Sequence, residues 1–147
     1  CNLRLGVGKD ADNLYITCKV KDGELYSGGQ GTQKGSGVFI YLDTKNECLK
    51  EPAEGVYKVW CSYKGDITVW QGNKGKWENS ELEGLQITPS VVSGGYELAF
   101  TIPLNRSFNK DAMRLCATLS TKTYTETLVH SNADRSCTWM KMNLGGH

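Results

Sequence analysis

The stretch Val38-Phe39-Ile40-Tyr41-Leu42-Asp43 alternates aliphatic residues with aromatic or acidic ones. Because successive side chains of a β-strand point to opposite faces of a sheet, this alternation predicts a strand whose aliphatic residues face a core. Phe39 and Tyr41 then point away from that core. The stretch therefore predicts a sheet that carries aromatic rings on its outer face.

Further runs at residues 13–20, 56–63 and 67–70 show the same alternation. Large side chains lie opposite the apolar set of these runs: Tyr15, Lys58, Trp60 and Trp70. A sheet that pairs all of the runs would present on one solvent-facing surface the rings of Tyr15, Phe39, Tyr41, Trp60 and Trp70. Since exposed flat rings beside polar groups are typical of interaction sites, we expect a binding surface there.

Short alternating runs recur along the whole chain and are separated by clusters of turn residues. They predict strands at residues 3–8, 13–21, 37–43, 55–63, 66–71, 85–92, 95–103, 112–120, 123–130 and 137–144. No long window shows the periodicity of an amphipathic helix. About ten strands must close or double over to protect their edges. We therefore expect residues 1–147 to form one all-β domain, an antiparallel, jelly-roll-like β-sandwich.

The length and the charge of the chain limit the classes of molecule that we expect it to bind. The chain has 147 residues, with 17 basic and 16 acidic side chains spread along it and a net charge of +1. Since binding to nucleic acid or to an anionic membrane rests on clustered positive charge, we expect neither as a partner. No apolar stretch approaches the roughly 20 residues of a membrane helix, so membrane insertion is not expected.

The cysteines lie far apart in the sequence. There are six of them, at Cys1, Cys18, Cys48, Cys61, Cys116 and Cys137. Their even number, without the close pairs of a zinc site, favours three disulfides that staple the fold. Disulfides would imply a secreted or cell-surface protein. The alternative is that some of these cysteines are buried thiols.

Oxygen donors at predicted turns suggest a structural metal. They are Asp10, Asp12, Asp22, Asp43 and Glu47. Calcium prefers such ligands, and we take Asp22 and Asp43 as its candidate ligands. The alternative is that these aspartates hydrogen-bond their own turns. No cofactor is required by this interpretation.

Residues for catalysis or haem binding are few. His130 is the only histidine before the C-terminus, and no serine nucleophile motif occurs, so we do not expect an enzyme. His130 with Met113, Met140 or Met142 would be an axial pair for haem, without a C-x-x-C-H attachment site.

Tryptophan is the best indication of function. A sugar ring has a nearly flat apolar face that tryptophan or tyrosine can cover, while a nearby lysine or amide bonds the hydroxyl groups. Trp60 with Lys58 on one strand face fits this chemistry. The alternative is that one or two tryptophans fill the core, and the candidates for this are Trp77 and Trp139, whose surroundings do not define a face.

The order of the motifs resembles a known family. The motifs are Leu3-Arg4-Leu5-Gly6-Val7, Asp12-Asn13-Leu14-Tyr15-Ile16, Val20-Lys21-Asp22, Gly37-Val38-Phe39-Ile40-Tyr41-Leu42-Asp43, Val56-Tyr57-Lys58-Val59 and Gly94-Gly95-Tyr96-Glu97-Leu98-Ala99-Phe100-Thr101-Ile102-Pro103. Over residues 3–120 the chain resembles the family 9 carbohydrate-binding modules and the related DOMON-like sandwiches.

The resemblance implies a noncatalytic sandwich that grips sugar between tryptophans, with structural calcium, appended to a secreted glycoside hydrolase. It places Lys58 where members have a basic sugar contact, and Trp139 at the late tryptophan of the clamp. Phe39 replaces a carboxylate of the family pattern. Trp60 or Trp70 would then take over the stacking role and select an extended chain face.

We therefore predict a secreted, noncatalytic module that binds a polysaccharide or oligosaccharide of the β-glycan type. The predicted contacts are Lys58, Trp60 and Trp70, supported by Phe39, Tyr41 and Trp139. Two alternatives remain open: a DOMON-type haem or redox domain, and a surface adhesion or interaction domain whose aromatic residues contact another protein.

Overall fold

The structure is a computed structural model that describes residues 2–23, 25, 35–120, 125–127 and 140–143. These residues contain eleven strands: β1 (Asn2–Lys9), β2 (Asn13–Lys21), β3 (Gly37–Asp43), β4 (Val56–Ser62), β5 (Ile67–Asn73), β6 (Lys76–Asn79), β7 (Gln86–Val92), β8 (Gly95–Pro103), β9 (Ala112–Ser120), β10 (Thr125–Thr127) and β11 (Met140–Asn143). Within these ranges there is no helix long and apolar enough to cross a membrane.

The strands form two antiparallel sheets. The smaller sheet has the order β1-β2-β8-β7, and the larger sheet has the order β10-β9-β3-β4-β5-β6, with β11 also paired to β9. Side chains from both sheets form one hydrophobic core between them. This confirms the predicted all-β, antiparallel sandwich.

The predicted hairpins join neighbouring strands of the same sheet. The turn between β1 and β2 is closed by Asp10, whose carboxylate accepts the backbone N–H groups of Asp12 and Asn13 at 2.8 Å each. Gly65 and Gly94 lie in the next two predicted turns with φ of 97° and 79°, which glycine adopts without steric cost. These turns set the register of the strands on either side.

The predicted alternation of inward and outward side chains is confirmed for the core strands. The inner residues of β2 and β3 are all at most 3% exposed: Leu14, Ile16, Cys18, Val20, Val38, Ile40 and Leu42. On β8, Phe100 and its neighbours on the same face pack against them. The apolar alternation read from the sequence therefore identifies the buried faces of both sheets.

Tyr15 does not share a face with the other predicted aromatic residues. It lies on β2 of the smaller sheet, whereas β3, β4 and β5 belong to the larger one. Its ring is 38% exposed, and its hydroxyl donates a hydrogen bond to the Asp10 carboxylate. The prediction of one surface that includes Tyr15 is wrong, because strand alternation defines a face but not the sheet to which a strand belongs.

The prediction of three disulfides is also wrong. Cys18, Cys61 and Cys116 are buried free thiols, and three bridges would need all six cysteines. Cys18 and Cys61 occupy inward positions of their strands among aliphatic residues, where a thiol packs as a small apolar group. Cys48 is disulfide-bonded. Cys1 and Cys137 lie outside the described residues.

We expect the free energy of unfolding to fall in alkaline solution. Burial raises the pKa of the Cys18 and Cys61 thiols from 9.0 to about 12, and that of Cys116 to about 11. The unfolded chain loses these protons at lower pH, so stability is full below about pH 9 and falls as the pH approaches the folded-state values. Urea unfolding at several pH values measures the fall. In the Cys18→Ala variant, the free energy of unfolding should fall less steeply with pH than in the wild-type protein. The same pH dependence in both proteins would contradict the explanation.

Tyr96 carries a polar group that the core does not satisfy. Its side chain is 0% exposed, and within the described ranges its hydroxyl makes no hydrogen bond. An unsatisfied buried hydroxyl costs about 1–3 kcal/mol, so Tyr96→Phe should raise the free energy of unfolding by about 1 kcal/mol. Urea denaturation tests this, with Tyr63→Phe at a half-buried position as the control. A less stable Tyr96→Phe protein would overturn the prediction.

Candidate functional site

The outer face of the larger sheet carries a group of rings around one lysine. Strand pairing places Phe39 opposite Trp60, Tyr41 opposite Lys58, and Lys58 opposite Trp70. Because paired residues of neighbouring strands point to the same face, these side chains lie side by side. Together with Trp77 of β6 they form what we call the aromatic cluster: Phe39, Tyr41, Lys58, Trp60, Trp70 and Trp77.

The rings of the aromatic cluster contact one another across four strands. The centroid of Phe39 lies 4.7 Å from that of Trp60 and 6.4 Å from that of Trp70. Tyr41 continues the group, with its centroid 6.2 Å from Phe39 and 6.0 Å from Trp77. These separations lie in the range of favourable aromatic pairs.

The Lys58 ammonium lies at the centre of the aromatic cluster. Its Nζ atom is 4.9 Å from the ring centroid of Trp70 and 5.1 Å from that of Phe39. The rings of Tyr41 and Trp77 follow at 5.8 Å and 5.9 Å. A cation within about 6 Å of an aromatic face is attracted by the electrons of that face. Lys58 therefore holds four rings around one positive charge.

The members of the aromatic cluster differ in exposure. Trp60 is only 2% exposed and Tyr41 only 5%, so the prediction that these two rings face solvent is wrong. Trp60 lies against β3, where a Cβ atom on Gly37 would fall 2.4 Å from its ring. Trp60 is on the predicted outer face of its strand. Its ring lies flat against the neighbouring strand instead of projecting into solvent. The partly exposed members are Phe39, Lys58, Trp70 and Trp77.

Trp77 was a candidate for the core in the sequence analysis, but it belongs to the aromatic cluster on the outer face. It lies on β6, a strand that the sequence did not predict because three of its four residues, Lys76, Glu78 and Asn79, are polar. Pairing with β5 sets Trp77 opposite Gly72 and directs it to the outer face. The absence of a side chain on Gly72 leaves room for the backbone of Pro52 and Ala53, which approaches the strand at this point. The feature of the sequence that could have indicated the outward position of Trp77 was its place just after a strand that contains a glycine.

The segment between β3 and β4 lies along one side of the aromatic cluster. Leu49 packs against the buried group of Tyr41, Val56 and Cys116. A Cβ atom on Gly72 would fall 2.2 Å from the Ala53 nitrogen. The Gly75 N–H donates to the Pro52 carbonyl at 2.8 Å and fixes this approach. Asp43 orders the start of the segment, since its carboxylate accepts the N–H of Glu47 at 3.2 Å and of Cys48 at 3.0 Å.

The carboxylates of Asp22 and Asp43 do not lie at one site. The Ser36 hydroxyl, 3.4 Å from the Asp22 carboxylate, lies just before β3, and Asp43 is the last residue of β3. Seven residues of strand, roughly 20 Å, therefore lie between the two carboxylates. They cannot bind the same calcium ion. Within the described ranges, no three His, Cys, Asp or Glu side chains gather as a metal site.

Two predicted functional residues, Trp139 and His130, lie outside the described residues. The methionines considered as haem ligands are differently placed from one another: Met113 and Met142 are buried in the core, while Met140 is 48% exposed. Met113 and Met142 are direct partners across β9 and β11. Their packing is that of core residues.

Replacing Gly37 by alanine should disturb the aromatic cluster. The new methyl group would lie 2.4 Å from the Trp60 ring and 2.6 Å from the Cys61 carbonyl oxygen. Overpacking of this kind costs about 1–3 kcal/mol, so the free energy of unfolding should fall by that amount. Urea unfolding and tryptophan fluorescence measure the change. Gly8→Ala is the matched control, since nothing lies within 4 Å there. Equal stability of the two variants would contradict the prediction.

Comparison with known proteins gives a fold but no close relative. No protein-family model matches the sequence, and no curated protein matches it either. Two solved structures of a family 9 carbohydrate-binding module from Caldicellulosiruptor kristjanssonii, one with cellotriose and one with glucose, are similar in fold. Each has a TM-score of 0.79 and 14% identity over 99% of this chain, which spans 76% and 78% of those chains respectively. The chain thus has the β-sandwich fold of the family 9 carbohydrate-binding modules.

Proposed function

We propose that this protein is a noncatalytic carbohydrate-binding module that recognises a glycan through the aromatic cluster. The observation that carries the proposal is the set of partly exposed rings, Phe39, Trp70 and Trp77, around the Lys58 ammonium on one sheet face. Aromatic rings cover the apolar face of a sugar, and an ammonium group donates hydrogen bonds to its hydroxyls. Both kinds of chemical group are present in one cluster.

The proposed ligand is an extended β-glycan, taken as a polysaccharide or oligosaccharide. The structures of similar fold hold cellotriose and glucose, which supports a sugar of this class. Trp70 supplies the stacking ring, because Trp60 is buried beside Phe39. Phe39 and Trp77 extend the apolar area on either side of Lys58. Trp139 stays a prediction as a further contact.

We propose that the module acts by binding alone. The thiols of Cys18, Cys61 and Cys116 are buried, and burial raises the pKa of each to about 11 or 12. Such thiols stay protonated near neutral pH and are poor nucleophiles. The aromatic cluster offers stacking surface and one cation, which suits retention of a sugar chain more than chemistry on it.

The cellular setting is part of the proposal. We propose that residues 1–147 work as one domain of a secreted glycan-degrading system, appended to a glycoside hydrolase. The disulfide at Cys48 supports an oxidising compartment. Structural calcium also stays a prediction, with the restriction that Asp22 and Asp43 would belong to separate sites.

Affinity electrophoresis against a panel of soluble polysaccharides tests the proposal. Gels containing β-glucan, xylan, mannan or starch should retard the protein in at least one β-linked glycan relative to a gel without polysaccharide. Running each gel with calcium and with chelator tests the metal in the same series. Unretarded migration in every gel would overturn the carbohydrate proposal. A Soret band in the purified protein would instead support the haem alternative.

A further inference from the structure

Two buried thiols lie on the inner faces of opposite sheets. Cys18 lies on β2 of the smaller sheet and Cys61 on β4 of the larger sheet. Both are 0% exposed and belong to the same hydrophobic core. Since this core lies between the sheets, the two side chains point towards one another's sheet. Neither thiol belongs to the aromatic cluster.

Contacts between the sheets place the two thiols at the same level of the sandwich. The rings of Tyr63 and Tyr96 meet across the core with centroids 6.1 Å apart. Tyr96 is paired with Val20, and Cys18 is the inward-facing residue of β2 immediately before Val20. Cys61 likewise is the next residue of the same parity before Tyr63. Along its own strand, each cysteine therefore lies one inward-facing position away from the contact between Tyr63 and Tyr96.

A second contact fixes the same alignment at the end of the strands. The Ser36 hydroxyl donates to the Asp22 carboxylate at 3.4 Å, which joins the end of β2 to the start of β3. The Tyr63 N–H donates to the Ser36 carbonyl at 3.1 Å, which joins β4 to the same point. The ends of β2 and β4 are thus held together.

The electrostatics agree with this geometry. The charge of a Cys18 thiolate contributes to the raised pKa of Cys61, and both thiolates contribute to the raised pKa of the Tyr96 hydroxyl. The interaction between two charges weakens with distance, so these contributions agree with neighbouring positions of the hydroxyl and the two thiols in the core.

We propose that Cys18 and Cys61 are a cross-linking site that forms a disulfide between the two sheets in the presence of a small disulfide such as oxidised glutathione. An inter-sheet disulfide of this type is known in the sandwiches of antibody domains. The site is a covalent modification that is independent of the proposed sugar binding.

The reaction is ordinary thiol–disulfide exchange. One cysteine thiolate attacks a sulfur of oxidised glutathione, the glutathione S–S bond breaks, and one glutathione leaves as a thiolate that takes up the proton. The second cysteine thiolate attacks the mixed disulfide, the Cys18–Cys61 bond forms, and the second glutathione leaves. Two protein thiols are oxidised, and one glutathione disulfide is reduced to two thiols.

Burial sets the conditions under which the exchange proceeds. The native thiols are protonated at neutral pH, because their pKa lies at about 12. Transient opening of the core exposes them and returns the pKa towards that of a free thiol. We therefore expect slow cross-linking in buffer alone and faster cross-linking in urea just below the unfolding midpoint.

Counting the remaining thiols tests the proposal. The protein is incubated with oxidised glutathione in such urea, diluted, and then labelled with N-ethylmaleimide in full denaturant. Intact-mass measurement should show two fewer maleimide adducts than before treatment, and proteolysis should release a linked Cys18–Cys61 peptide. The Cys116→Ser variant retains Cys18 and Cys61 and should yield the same linked peptide. Cys18→Ala should form no intramolecular link at Cys61.

Three results would overturn the proposal. One is an unchanged number of adducts after treatment in which the core demonstrably opens, as measured by hydrogen exchange. Another is a product in which only glutathione adducts are present. The last is a linked peptide that joins Cys116 to either thiol instead of Cys18 to Cys61.

Discussion

Replacing Trp70 by alanine is expected to weaken binding of a soluble β-glycan by at least about 30-fold. Trp70 is the partly exposed tryptophan closest to the Lys58 ammonium, with its centroid 4.9 Å from Nζ. Loss of a tryptophan at the centre of a binding surface costs about 2 kcal/mol or more, and 1.4 kcal/mol is about tenfold in affinity. Isothermal titration with the glycan that retards the wild-type protein measures the loss.

Tyr15→Ala is the matched control for Trp70→Ala. It removes an exposed ring of the smaller sheet, 38% accessible, and should leave the affinity unchanged. Circular dichroism and urea unfolding should show that both variants are folded. Wild-type affinity in Trp70→Ala would remove Trp70 from the site. Equal losses in both variants would point to a general effect on the fold.

Replacing Phe100 by alanine is expected to lower the free energy of unfolding by about 3–5 kcal/mol. Phe100 is 2% exposed and lies on β8, between Ile16 of β2 and Ile87 of β7. Truncation removes much buried apolar area and leaves a cavity in a strand that has neighbours on both sides. Urea unfolding should show the loss, and the melting temperature should fall by about 10 °C.

Val91→Ala on the neighbouring strand is the control for Phe100→Ala. Val91 is 63% exposed, so its truncation should change stability by less than about 1 kcal/mol. A small effect at Phe100, similar to that at Val91, would mean that the core between the sheets can collapse around the missing ring. That result would contradict the packing described for β8.

Most of the fold follows from local patterns in the sequence. The period of two identifies the buried residues of β2 and β3, because a strand offers only two faces. Turn residues such as those at 9–13 and 93–95 identify the hairpins, because they adopt conformations that other residues avoid. The bounds of β3 and β8 agree with the predicted strands at 37–43 and 95–103.

The site was less predictable, because it depends on contacts between strands distant in sequence. Alternation could not show that Tyr15 lies in the other sheet, or that Trp60 lies flat against Gly37. Trp77 was missed because β6 is short and polar and gains its place by pairing with β5. Phe39, Lys58 and Trp70 were predicted on one face, and they are neighbours there.

Under the proposed function, the position of Lys58 has a consequence for the thermodynamics of glycan binding. A cation among four rings gives each ring a fixed partner, so rotation of any one ring would cost part of that attraction. The platform is thus ordered before a ligand arrives, and little side-chain entropy remains to be lost on association. Affinity would then be limited by the small area of contact, which favours rapid release and movement of the module along a polymer.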